Sequence, residues 1–155
     1  MFAERYARYY DTLNYGKDYK TEIEFIHKWA HKPHSILDLG CGTAKYWRYY
    51  PDSCLIFGIE KSSAMVKNSH HPNQIISGDI KTWVKHDPYN LRFDMATALF
   101  DVLNYIPENK WWKHIPLKKG GYFIFDIYNP KAVDTEGFRT THKQTSEVMR
   151  TIEPI

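Results

Sequence analysis

Three carboxylates, Asp38, Glu60 and Asp79, stand at or just after short apolar runs, and two glycines, Gly40 and Gly42, follow the first of them. This is a pattern for holding a ligand. In the stretch Leu39-Gly40-Cys41-Gly42-Thr43-Ala44 the glycines permit a tight turn and let a ligand come close to the backbone. The bland counterpart is a tight turn and nothing more. Glu60 lies 20 residues after Gly40, where an acidic side chain can hold both hydroxyls of a ribose. A solvated charge at a strand end is its plain alternative, and the glycine turn upstream favours the ribose. Asp79, in Gly78-Asp79-Ile80, can accept from an exocyclic amine such as that of adenine. It can equally cap a helix over Lys81–Lys85, and the two roles are compatible.

Asp38 narrows the choice of nucleoside. In a dinucleotide site the glycine turn and the helix after it face a pyrophosphate. A carboxylate two residues before that turn would repel it. A ligand carrying an ammonium group would be attracted instead. S-adenosylmethionine offers an adenine, a ribose diol, an α-ammonium and a cationic sulfonium, and no phosphate. Asp79, Glu60 and Asp38 supply acidic partners for three of those features. No Gly-Lys-Ser/Thr sequence follows the loop, which argues against a P-loop.

The elements that must position these residues alternate. Ser35–Leu39, Cys54–Ile59, Gln74–Ser77, Phe93–Phe100 and Tyr122–Tyr128 read as buried strands. Asp18–Ala30, Ala44–Tyr50, Ser62–Asn68 and Pro107–Ile115 read as helices, and Lys119-Gly120-Gly121 reads as the turn before the fifth strand. Strands that are apolar throughout and separated by helices argue for an α/β, Rossmann-like, doubly wound parallel sheet with helices on both faces. Ligands in such sheets sit at the carboxyl ends of the strands, where the motifs fall.

The ordered set resembles the class I S-adenosylmethionine-dependent methyltransferases, from about Tyr6 to Tyr128. It is carried by Ile36–Ala44, by Gly58–Val66 around Glu60, by Gly78–Ile80, by Phe93–Ile106 and by Leu117–Asn129. Residues 6–26 are similar to the N-terminal helical segment of the small-molecule branch, notably the aminosugar N-methyltransferases. The resemblance implies strand order 3-2-1-4-5 and S-adenosylmethionine as cofactor. Gly40 and Gly42 would lie under its methionine part, Glu60 would hold the ribose, and Met65 would pack on the adenine. Asp79 and Ile80 would flank the base, and Leu99 and Phe100 would line the methyl-transfer end. Tyr15 matches a tyrosine that the aminosugar enzymes carry over the site. Tyr105 falls where they carry a histidine, a departure that bears on the substrate class. Ala44 replaces a third glycine.

Methyl transfer mostly requires alignment and exclusion of water, because the sulfonium is already a good leaving group. The expected acceptor is a small molecule with a nitrogen or oxygen nucleophile. Tyr105, Tyr15 and Asp101 are the candidates for taking its proton; packing with a hydroxyl hydrogen bond is the plain reading of the two tyrosines. A non-catalytic cofactor- or partner-binding relic of the fold is the alternative. A nicotinamide oxidoreductase is the third reading, and Asp38 argues against it.

Composition sets the outer bounds. With 43% hydrophobic and 25% charged residues in 155, the chain reads as a single soluble domain. Its expected parts are an N-terminal helical cap (1–33), a cofactor-binding core (34–128) and a short strand-like extension (129–155). A net charge of +3 without a basic cluster gives no ground for a nucleic-acid partner. No apolar run approaches the ~18 residues of a membrane span, and the N-terminus lacks the apolar core of a signal peptide. With only two cysteines, a cytoplasmic location is expected. The adjacent His70 and His71 cannot share a helix face, and no metal site is expected. The family's sheet carries two further strands after the fifth, but only 27 residues follow Tyr128. Residues 139–144 and 147–152 alternate weakly and read as one or two short strands. Strands six and seven are therefore expected to be missing or minimal. The exposed edge of strand five would then suit a homodimer.

Overall fold

The computed structural model describes residues 4–106, 110–127, 141–144 and 149–152. Five strands, β1 (Ser35–Leu39), β2 (Leu55–Glu60), β3 (Ile75–Ser77), β4 (Phe93–Ala98) and β5 (Leu117–Phe125), form one sheet in the order β3-β2-β1-β4-β5. Every pairing in it is parallel. The helices are α1 (Glu4–Leu13), α2 (Tyr19–Trp29), α3 (Ser63–Lys67) and α4 (Ile80–His86). The expected doubly wound sheet and strand order are therefore present.

Neighbouring side chains of β1 point to opposite faces and both faces are covered. Ile36 joins a core with Ile23 and Ile26 of α2, Tyr46, Trp47 and Met95. Leu37 and Leu39 join a second core with Trp83 and Val84 of α4, Ala96 and Trp111. These three β1 side chains are fully buried, each worth about 1.5–3 kcal/mol of transfer free energy. The strand starts are fastened by Asp94. Its Oδ2 accepts from the N–H groups of His34 (3.1 Å) and Ser35 (2.9 Å), and the Asp94 N–H donates to Ser35 Oγ at 3.0 Å. That leaves the carboxyl ends of the strands as the open, loop-bearing rim.

Three local expectations need correction. Residues 44–50 form a short 3₁₀ helix, Lys45–Tyr49, in place of an α-helix. Pro51 holds Tyr50 extended, and Trp47 turns inward, so the segment ends after little more than a turn. The glycines of Lys119-Gly120-Gly121 make a bulge inside β5, with no turn before it. Gly120 has φ +81, the register against β4 shifts there, and a Cβ on Gly121 would sit 2.9 Å from the Asp94 carbonyl oxygen. The expected helix Pro107–Ile115 is a 3₁₀ helix over Trp111–His114, with residues 107–109 outside the described ones.

Tyr128, the expected end of the fifth strand, also lies outside the described residues. β5 is less buried than the other strands expected to be apolar throughout; Tyr122 and Phe125 are exposed, and no further strand pairs with it among the described residues. β6 (Thr141–Gln144) and β7 (Met149–Ile152) pair antiparallel as a separate two-stranded sheet, matching the weak alternation of residues 139–152. No helix among the described residues is long and apolar enough to cross a membrane.

Candidate functional site

The rim is built from the ends of β1, β2 and β4. Beyond Leu39 the chain turns sharply, with Gly40 at φ +72 and its N–H donating to the Ile59 carbonyl at 2.8 Å. A side chain here would be strained, and its Cβ would lie 2.7 Å from Val102 Cγ2. Gly42 follows at φ +57, and a Cβ there would meet nothing within 4 Å. The backbone is thus approachable at Gly42 and closed at Gly40. Ala44, expected as a small residue between helix and strand, adopts φ 62, a conformation that costs a non-glycine residue roughly 1 kcal/mol.

Glu60 ties this turn to the next element. Its Oε2 accepts the Gly42 N–H at 2.9 Å and its Oε1 accepts the Ser62 N–H at 2.7 Å. An ionised carboxylate offers about four acceptor positions, so two remain for the hydroxyls of a diol. Ser62 caps α3 by accepting the Met65 N–H, and Met65 is buried beneath. After β3, Asp79 caps α4 through the Thr82 N–H at 3.1 Å, and Ile80 is the buried first residue of that helix. The capping expectation for Asp79 is realised, with its other oxygen 3.5 Å from Lys61 Nζ. Burial pushes the Asp79 carboxyl up, but the Thr82 N–H and Lys61 outweigh it and leave it below the usual value.

Asp38 is buried in the face covered by α2. Its Oδ2 accepts from Trp47 Nε1 at 2.8 Å and its Oδ1 from Thr97 Oγ1 at 2.9 Å. Burial pushes its carboxyl up to about 6, although both hydrogen bonds favour the ionised form. Gly58, opposite Asp38 on β2, leaves the space that Trp47 and Cys41 fill, since a Cβ would fall 2.5 Å from Cys41 Sγ. Cys41 is buried in the turn, and that burial holds its thiol well above its usual value.

At the end of β4, Leu99 is buried, and Phe100 and Asp101 both take φ +67. Two successive left-handed non-glycine residues need an external clamp. Asp126 provides it: its two oxygens accept the Phe100 and Asp101 N–H groups, each at 2.7 Å. Sequence reading missed Asp126. The available signal was an acid just past the carboxyl end of a strand, the same signal that marks Glu60.

α1 packs against this rim. Asp11 of α1 accepts from Thr43 Oγ1 at 2.7 Å and is 3.4 Å from Lys45 Nζ. The Tyr10 ring packs 6.3 Å from that of Phe100. Tyr10's hydroxyl is driven far up, first by burial and then by the fields of Tyr19, Tyr6, Asp11 and Glu60. Among the candidate residues, the structure joins Gly42 with Glu60 and gathers Asp38, Gly40, Met65, Leu99 and Phe100 in and around the same rim. Tyr15 and Tyr105 stand apart from that buried set, 88% and 71% exposed.

The comparisons agree with this architecture. No protein-family profile matches the chain. The malonyl-[acyl-carrier protein] O-methyltransferase of Halalkalibacterium halodurans is 33% identical over 111 residues, which are 64% of this chain and 41% of that protein. Among solved structures, Streptomyces venezuelae DesVI superposes with a TM-score of 0.68 at 16% identity, covering 92% of this chain and 64% of that one. CalS10, an amino pentose methyltransferase from Micromonospora echinaspora solved with S-adenosylmethionine bound, gives 0.65 at 19% identity, over 92% of this chain and 63% of that one. The sugar N-methyltransferase KedS8 from Streptoalloteichus gives 0.66 at 21%, over 86% and 59%. The chain has the Rossmann-like methyltransferase fold. It spans about two fifths of the curated relative and less than two thirds of these solved chains.

Within the methyltransferase fold, the rim described above lies where the strand order reverses, between β1 and β4. Among the described residues no group of three or more His, Cys, Asp or Glu side chains could hold a metal ion.

Proposed function

We propose that this chain binds S-adenosylmethionine at the rim and transfers its methyl group to a small-molecule nitrogen or oxygen acceptor. The observation that carries the reading is the Gly42–Glu60 hydrogen bond. It places an open backbone turn beside a carboxylate with spare acceptor positions, within an acidic rim that includes Asp38 and disfavours a phosphate. When bound, the cofactor supplies an activated methyl group. The protein's own work is then alignment and exclusion of water. Glu60 would hold the ribose hydroxyls, Met65 and Ile80 would pack on the base, and Asp79 would accept from its amine. Gly40 and Gly42 would face the methionine part, with Asp38 setting the local negative field. Leu99 and Phe100 would wall the reacting end. Asp101, next to Phe100, would take a proton from a hydroxyl acceptor, with Tyr105 and Tyr15 as further candidates.

The exposure of Tyr15 and Tyr105 favours a second reading, cofactor binding without turnover. The expected homodimer through β5 belongs to this proposal, because the unpaired backbone of an edge strand fits a second identical edge. Thermal denaturation with S-adenosylhomocysteine tests binding: a saturable rise in Tm, absent in Glu60→Ala, is expected. No rise at saturating ligand refutes the cofactor site. Transfer of labelled methyl to a panel of amines and hydroxyl compounds separates an enzyme from a binding relic.

A further inference from the structure

Lys17, in the link between α1 and α2, is folded inward against three rings. Its Nζ lies 4.7 Å from the centre of the Phe100 ring, 5.5 Å from that of Tyr19 and 5.6 Å from that of Tyr46. It also pairs with the Glu22 carboxylate, and the Lys17 side chain keeps only 19% of its exposure. Glu22 Oε2 in turn accepts from the Tyr46 hydroxyl at 2.5 Å. Tyr19 and Tyr46 are buried and meet edge-on with ring centres 4.8 Å apart. The buried Tyr19 hydroxyl has no hydrogen-bond partner among the described residues. These are the parts of an aromatic cage for an organic cation, with a carboxylate on one wall and the cage filled by the chain's own ammonium.

Its position gives the cage a use. Phe100 is a wall of the cage and also the clamped residue at the end of β4. The Tyr46 hydroxyl is driven up first by burial, then by its hydrogen bond to Glu22 and the Glu22 charge, with Asp126, which holds Phe100, adding to the same field. Aromatic faces and carboxylates together favour a positive charge and offer nothing to an anion. We propose that the cage is the subsite for a cationic amine, the N-methylated ammonium product or the acceptor in its ammonium form, which must release its proton to solvent before its nitrogen takes the methyl from sulfur, and that Lys17 occupies the cage until such an amine displaces it. This rests on the methyltransferase reading and narrows it to nitrogen acceptors.

The test uses the full chain and two probes of similar shape, tetramethylammonium and uncharged tert-butyl alcohol, titrated by NMR with S-adenosylhomocysteine melting as a parallel readout. The expected result is weak tetramethylammonium binding to the wild type. Lys17→Met strengthens it about tenfold, a gain in the range of a desolvated cation–π contact. Lys17→Arg, which keeps the internal cation, stays at the wild-type level. Phe100→Ala or Glu22→Gln in the Lys17→Met background weakens it again at least fivefold, and tert-butyl alcohol binds weakly and equally to all. Equal binding of both probes, or no gain in Lys17→Met while S-adenosylhomocysteine still raises its Tm, overturns the subsite and leaves the cofactor reading intact. Tetramethylammonium binding that follows this pattern without any response to S-adenosylhomocysteine supports the cage and overturns the cofactor reading. If Phe100→Ala changes the preference for S-adenosylmethionine over S-adenosylhomocysteine but not the amine affinity, the cage serves the sulfonium and the proposal fails.

Discussion

The carboxyl-end rim and the outer edge of β5 belong to one sheet and are built on opposite rules. At the rim, polar groups sit in low exposure and are matched by internal donors. Asp38 has Trp47 and Thr97, Glu60 has the Gly42 and Ser62 N–H groups, and Asp126 has the Phe100 and Asp101 N–H groups. Left-handed residues stand there at positions 40, 42, 44, 100 and 101. Along β5, large side chains face outward instead: Tyr122 and Phe125 are exposed, followed by Ile127. Its protection is of the kind used by edge strands, with Lys118, Lys119 and a glycine bulge near the start. The contrast separates strain held for precision from apolar surface left without a described partner.

The sharpest way to break the contrast is Gly40→Val. It adds a β-branched residue at φ +72 with Val102 already 2.7 Å from the new Cβ. A loss of about 3 kcal/mol or more and no S-adenosylhomocysteine response are expected from chemical denaturation and melting. Next is Asp126→Ala, which removes two charge-assisted hydrogen bonds and should cost about 2–3 kcal/mol. Asp126→Asn, retaining one acceptor, should cost less, so equal losses would show that the clamp matters little.

A subtler probe is pH. The Asp38 carboxyl rises from an ordinary 3.8 to about 6 through burial. The folded state therefore binds this proton more tightly than the unfolded state. The contribution to stability is full below about pH 4 and is lost as the pH climbs through 6. The difference in urea midpoint between wild type and Asp38→Asn should change across that window and stay flat from pH 7 to 8. A flat difference throughout would mean that Asp38 is not perturbed. The smallest effect belongs to the edge. Replacing Tyr122 and Phe125 by Lys should change stability by only about 0.5 kcal/mol each. Sedimentation should show less self-association in that variant, and an unchanged profile would remove the homodimer expectation.

Much of the fold could be read from periodicity, because β1 and β4 are buried on both sides and carry continuous apolar runs. The Asp79 cap was equally legible, since an Asp before a helical run has local meaning. The short 3₁₀ helix after Gly42 was not, because its length depends on Trp47 reaching Asp38. Nor was the β5 bulge. Gly120 and Gly121 signal a break in either case, and the neighbouring β4 backbone decided which kind.

The sequence by itself determined the alternation of strands with helices, the two-glycine turn and the acids at the strand ends, since these follow from local apolar runs and residue types. Tertiary structure alone decided that Asp38 receives Trp47 and Thr97 and that Glu60 receives the Gly42 N–H, that Asp126 holds Phe100 in a left-handed conformation, and that Lys17 enters a ring of aromatics drawn from α2, the 3₁₀ helix and the end of β4. Those arrangements join residues far apart in the chain, so their energies exist only once the sheet has brought its strand ends together.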